Sequence, residues 1–175
     1  LSTRFNSVSS DLASQYDGVN SKISTEVEDI NAILASISDL NGQVLKTPTL
    51  DDDGTKANLL DQRDEMIRQL SEKLEIKTVS QDDGTTLINL TTGQSLVVAG
   101  GYASMSVIAG DPDPRNTQIQ LTLGKATTQL ANSSLGGELG GLFLSRTTVS
   151  DTQKEIGQLA LAFTDAMNTQ NKLGM

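Results

Sequence analysis

The sequence runs to 175 residues with 13 Lys plus Arg against 22 Asp plus Glu, a formal charge of -9, and it contains no His and no Cys. A chain of that length can bury a proper core, but its acidic balance repels phosphate backbones and anionic membrane surfaces, so neither nucleic acid nor a membrane is expected as a partner. Without imidazole or thiol, His-dependent general bases, thiolate nucleophiles, disulfides and the common zinc sites are all excluded.

No apolar run approaches the roughly 20 residues that span a membrane. The chain starts at Leu1 without Met or a signal-peptide pattern, and so reads as an excised piece of a longer protein. From Phe5 the apolar residues recur at Val8, Leu12, Tyr16, Val19, Ile23, Val27, Ile30, Leu34, Ile37, Leu40 and Val44. The mean step is about 3.5 residues, which predicts one long helix with a narrow apolar stripe. At about 1.5 Å per residue it makes a rod of roughly 60 Å, whose stripe must be covered by other helices or other subunits. Asn41-Gly42 weakens its end and Pro48 terminates it. Leu50 to Thr55 reads as a surface loop, followed by a second helix of about 17 residues carrying Leu60, Arg63, Met66, Ile67, Leu70 and Leu74, with Asn58 as its N-cap.

From Glu75 the periodicity changes to two. Ile76 to Val79, Thr86 to Leu90, Ser95 to Ala99, Ser104 to Ile108 and Thr117 to Leu123 read as strands separated by turns at Asp82-Asp83-Gly84, Thr92-Gly93 and Asp111-Pro112-Asp113-Pro114. Five or six short antiparallel strands are expected. Gly136 to Gly141 then reads as a flexible hinge, and Leu142, Val149, Ile156, Phe163, Met167 and Gln170 trace a last long helix. The fold class is α+β: an elongated bundle of long amphipathic helices, with an antiparallel β domain inserted between the second and last helices. The expected division is residues 1-75 and 136-175 as the helical bundle and residues 76-135 as a projecting β domain. Ile23, Ile30, Ile156 and Phe163 are expected in the core rather than at an interface. With 5 Phe plus Tyr and no Trp, the packing should rest on Leu and Ile ridges.

A search for chemistry returns little. Asp51-Asp52-Asp53-Gly54 suggests calcium, but aligning Gly54 with the glycine of an EF-hand loop puts Thr49 and Leu60 where carboxylates are required. Gly136 and Gly141 copy the spacing of a phosphate-binding loop, yet Leu142 and Phe143 stand in place of its Lys and Ser/Thr. No Lys has Ser three positions before it. Asp61, Asp64 and Glu65 are interleaved with Lys56, Arg63 and Arg68, which fits ion pairs along a helix better than acid/base work. A glycosidase would want aromatic sugar platforms, and there is no Trp and only two Tyr. No catalytic, cofactor-binding or metal-binding residue is assigned, and no cofactor is expected. Composition and spacing alone reach an elongated interaction or assembly module; a soluble coiled-coil adaptor whose β insertion binds a ligand is the other reading, which predicts a pocket with convergent polar groups.

Three ordered segments are more specific. Asn58-Leu59-Leu60-Asp61-Gln62-Arg63-Asp64, then Gly136-Gly137-Glu138-Leu139-Gly140-Gly141-Leu142, then Leu159-Ala160-Leu161-Ala162-Phe163 running to Asn168-Thr169-Gln170 resemble the bacterial flagellar hook-associated protein 1 family, as does the preceding helix with Val27-Glu28-Asp29-Ile30-Asn31 and Leu40-Asn41. The resemblance covers nearly the whole chain. It implies a non-enzymatic structural subunit, exported through the flagellum's own channel and located in the extracellular flagellum. Such a subunit would form a ring at the junction of hook and filament. The implied partners are the hook protein, the adjacent junction protein, other copies of the full-length protein and an export chaperone. Another flagellar axial protein, flagellin-like or the second junction protein, is the near alternative. The sequence departs from the family pattern by lacking both extreme terminal regions, and Asn171 stands where relatives often carry His, a change read as neutral. Export of an unfolded chain is compatible with the absence of Cys.

Overall fold

In the computed structural model, residues 2–47 and 54–174 are described. Pro48 and the loop residues Leu50 to Asp53, with the suggested stop signal and calcium-like run, lie outside them. Three α-helices are present among the described residues: α1 (Ser2–Lys46), α2 (Thr55–Lys73) and α3 (Gly137–Leu173). Between α2 and α3 in sequence come seven strands, β1 (Ile76–Ser80), β2 (Thr86–Leu90), β3 (Ser95–Val98), β4 (Gly101–Tyr102), β5 (Ser104–Ile108), β6 (Gln118–Leu123) and β7 (Ala126–Leu130), and a short 3-10 turn at Asn132–Ser134. The class is α+β, with every strand pair antiparallel. They form one four-stranded sheet in the order β1-β2-β3-β4 and one three-stranded sheet in the order β5-β6-β7.

Packing divides the chain into two compact units, Leu1–Lys22 with Leu144–Met175, and Ile23–Phe143. This line does not follow the change from helix to strand at residues 76 and 135. It cuts both long helices and groups all seven strands with the second part of α1 and with α2.

In the unit Ile23–Phe143 the apolar stripe of α1 is buried at Ile23, Val27, Ile30, Leu34, Ile37, Leu40 and Val44. The steps of four and three keep these side chains on one face of a helix. Also buried in this unit are Leu70 and Leu74 from the end of α2, Ile88 and Leu90 of β2, Leu96 and Val97 of β3, Met105 of β5, Ile119 and Leu121 of β6, and Leu135, Leu139 and Phe143 around the start of α3. Strand β2 shows the alternation of a sheet covered on one side, with Thr86, Ile88 and Leu90 buried and the residues between them half-buried. Ile23 and Ile30 are therefore core residues, as the stripe predicts.

Three local expectations are corrected. Helix α2 begins at Thr55, so Asn58 is not its cap. Gly54, at φ 77, occupies that place, and the Asn58 Oδ1 instead accepts a hydrogen bond from Gln62 Nε2 at 3.0 Å. Of the glycines read as a hinge, Gly136 immediately precedes α3 and Gly137, Gly140 and Gly141 are built into its first turns. Gly136 (φ +60) and Gly137 (φ +56) lie against the end of α2, where a Cβ at Gly137 would sit 2.5 Å from the Lys73 carbonyl carbon and one at Gly136 2.6 Å from the Glu75 Cβ. They permit a close crossing, pinned by the Glu75 N–H donating to the Leu135 carbonyl at 2.9 Å. Finally, β4 and β7 are additional to the expected strands.

In the unit Leu1–Lys22 with Leu144–Met175, the two helical segments face each other in opposite directions. Arg146 of α3 reaches Tyr16 and Asn20 of α1, whereas Ile156 and Leu159, further along α3, line a groove with Arg4, Phe5 and Val8 near the start of α1.

Candidate functional site

Two asparagines on α1 do what the hydrophobic pattern does not announce. Asn41 continues the stripe position after Leu34 and Ile37 and is buried. Its Nδ2 donates to the Thr86 carbonyl at 2.8 Å, and its Oδ1 accepts from the Thr86 N–H at 3.1 Å. Ten residues earlier, Asn31 Nδ2 donates to the Met105 carbonyl at 2.8 Å and Asn31 Oδ1 accepts from the Met105 N–H at 2.7 Å. In both cases a primary amide pairs with both polar groups of one strand residue, as a neighbouring strand would. Asn41 thereby ties α1 to β2 of the first sheet and Asn31 ties it to β5 of the second. The strands do not stand free of the helices.

Arg63 of α2 closes the same corner. It is buried, its Nη1 donates to the Gly84 carbonyl at 2.5 Å and lies 3.4 Å from Asn41 Oδ1. Its Nε is buried without a hydrogen-bond partner, and the exposed Asp64 carboxylate is 3.4 Å from Nη2. The Gly84 carbonyl belongs to the β1–β2 turn, where Asp83 Oδ1 accepts from the Thr85 N–H at 2.9 Å and hydroxyl at 2.7 Å. Those hydrogen bonds hold the Asp83 carboxyl below the usual aspartate range. Arg63 stands at a stripe position of the second helix, between Leu60 and Met66, which fits its burial, but its partner in the β1–β2 turn carries no sequence signal.

A second polar link joins α1 to the end of α2. The buried Glu26 carboxylate accepts from Lys73 Nζ at 2.9 and 3.0 Å, with Asp29 at 3.6 Å. Burial disfavours the ammonium, but the hydrogen bond and charge of Glu26, then Asp29 and Glu138, outweigh it and raise the Lys73 pKa. The carboxylates of α2 are used as ion pairs along the helix surface. Arg68 bridges Glu65 at 2.7 Å and Glu72 at 2.5 Å, and hydrogen bonds from Arg68 and then Gln69 hold Glu65 at about 2. No cluster of three or more acids that could hold a metal occurs among the described residues.

The unit Leu1–Lys22 with Leu144–Met175 presents a different surface. Leu144, Leu159, Leu161, Phe163, Met167 and Leu173 on α3 and Val8 on α1 are exposed, Leu161 to 74% and Phe163 to 41%. Phe163 was expected in the core and is instead exposed, and Ile156, also expected there, is half-buried. The groove of Arg4, Phe5, Val8, Ile156 and Leu159 encloses about 380 Å³ and is lined almost entirely by apolar atoms. The exposed apolar residues are spread around α3 rather than set on one stripe, since side chains two apart on a helix, such as Leu161 and Phe163, point about 200° apart.

The protein-family model described as "Flagellar hook-associated protein FlgK helical domain" matches residues 1–175. The chain belongs to this FlgK family. It is 32% identical over 177 residues to flagellar hook-associated protein 1 of Escherichia coli (strain K12), and 30% identical over the same length to the protein of that name from Salmonella typhimurium. Each alignment takes in 99% of this chain, which spans about a third (32%) of the length of these FlgK relatives. Among solved structures it is similar to the flagellar hook junction protein FlgK from Burkholderia pseudomallei, with a TM-score of 0.86 and 28% identity, over 98% of this chain and 31% of that one. The family expected from the sequence is the one the whole chain matches.

Proposed function

We propose that the protein is a structural subunit of the bacterial flagellum and takes part, without catalysis, in the junction between hook and filament. The match of the whole chain to the FlgK helical domain carries this reading. The exposed apolar residues of α3 support it, because a subunit that works by contact needs surface left open in the free state. On this reading the partners are the hook protein, the adjacent junction protein, further copies of the full-length protein in a ring, and an export chaperone. The working location is the extracellular flagellum. By role, the helices of residues 1-75 and 136-175 form the shaft-building part and residues 76-135 the outward part, a division of labour distinct from the compact units.

The test is a deletion of the gene followed by electron microscopy of the cells and assay of the medium. Intact hooks without filaments, with filament protein shed into the medium and reattached by the complementing gene, are expected. Normal filaments on the deletion strain would remove the assignment.

A further inference from the structure

Asn41 is followed by Gly42, and this is the one Asn-Gly pair in the sequence. We propose that Asn41 is a deamidation site shut by the fold and open in the unfolded chain, and that its conversion removes the docking of α1 on β2. In the reaction the Gly42 backbone nitrogen attacks Asn41 Cγ. An N–Cγ bond forms, the Cγ–Nδ2 bond breaks, and Nδ2 leaves as ammonia with the proton taken from the Gly42 N–H. Water then opens the cyclic imide at one carbonyl or the other, giving aspartate or isoaspartate. Glycine promotes the step because it puts no side chain beside the attacking nitrogen.

Three observations close this route in the folded protein. Both residues lie inside α1, so Asn41 is held near the helical ψ of about −42°, away from the geometry that brings the nitrogen to Cγ. The Asn41 carboxamide is fixed at both ends by the Thr86 N–H and carbonyl, and Arg63 Nη1 lies at 3.4 Å from its oxygen. The residue is 6% exposed, which restricts the water needed for hydrolysis.

The product is unsuited to this position. Aspartate offers two acceptor oxygens and no donor, so the Thr86 carbonyl loses its partner and meets a carboxylate. The Arg63 guanidinium can pair with the new charge but does not supply that donor. Isoaspartate adds a backbone atom and cannot continue the helix. A chain held unfolded, as before folding, therefore accumulates a lesion at the residue that joins α1 to the first sheet.

The experiment incubates the protein at mildly alkaline pH, native and in denaturant, and follows Asn41 by peptide mass spectrometry and by methyl transfer from a protein-isoaspartate methyltransferase. Conversion at Asn41 is expected in denaturant. In buffer it should be slower by roughly a thousandfold or more, the inverse of the unfolded fraction of a stable domain. Equal rates in the two conditions, or no conversion in denaturant, overturn the proposal. Gly42→Ala is the control: a Cβ there meets nothing within 4 Å, so the fold should persist while conversion in denaturant slows severalfold, and an unchanged rate would count against the imide route. Asn41→Asp should lower the thermal midpoint or fail to fold; a midpoint equal to the original would refute the consequence for docking.

Discussion

At the scale of single residues, the decisive groups are amides and one guanidinium rather than acids and bases. Replacing Asn31 or Asn41 with Ala leaves one buried carbonyl and one N–H of Met105 or Thr86 unpaired, and each change should cost about 1–3 kcal/mol, read as a shift of the urea midpoint. The Glu26–Lys73 pair sets a pH dependence. Because the folded Lys73 pKa is raised, its contribution is fully present below the ordinary lysine value of about 10.4 and is lost only as pH rises through the folded value. Alkaline titration of stability should therefore fall more steeply for the original protein than for Lys73→Met. Asn41 could be found in the sequence only by noticing that it continues the steps of the apolar stripe after Ile37; the following glycine made it look like a helix end instead. Asn31 lies beside the stripe and looks like any solvated helix residue, because the strand it meets is 74 residues away.

Among the elements, legibility follows amphipathicity. The long stripe fixed α1, since the described helix Ser2–Lys46 brackets Phe5 to Val44, and the alternating runs placed β1, β2, β3, β5 and β6. Strand β7 escaped because four of its five residues are exposed and only Leu130 is buried, so no alternation exists to read. Strand β4 has two residues and no periodicity at all. The glycine cluster before α3 was visible, but composition cannot separate flexibility from close approach. The two predict opposite outcomes for substitution. Gly137→Ala puts a Cβ 2.5 Å from backbone at a left-handed φ and should destabilise by more than about 1–2 kcal/mol. Gly141→Ala meets nothing within 4 Å and should stabilise α3 by about 0.5–1 kcal/mol. Thermal melting of the two variants separates a packed crossing from a hinge. Ile30→Asp, placing a carboxylate where exposure is 0%, should abolish cooperative unfolding altogether.

For the molecule as a whole, the proposed junction role and folding make different demands on the exposed apolar residues of α3. Leu161→Ser should change stability by no more than about 0.5 kcal/mol, since the side chain is 74% exposed, while reducing filament attachment when the variant replaces the chromosomal gene. The sequence showed this surface only as apolar periodicity, and exposed and buried stripes read alike until the neighbouring elements are known. Each sheet residue held by an α1 asparagine has its N–H bound to a helix side chain, so its amide proton can reach solvent only when helix and sheet part. Hydrogen exchange at Thr86 and Met105 is thus a pair of built-in gauges, one for each sheet. Comparing the two rates would tell whether α1 lifts from the sheets in one motion or peels away from them in turn.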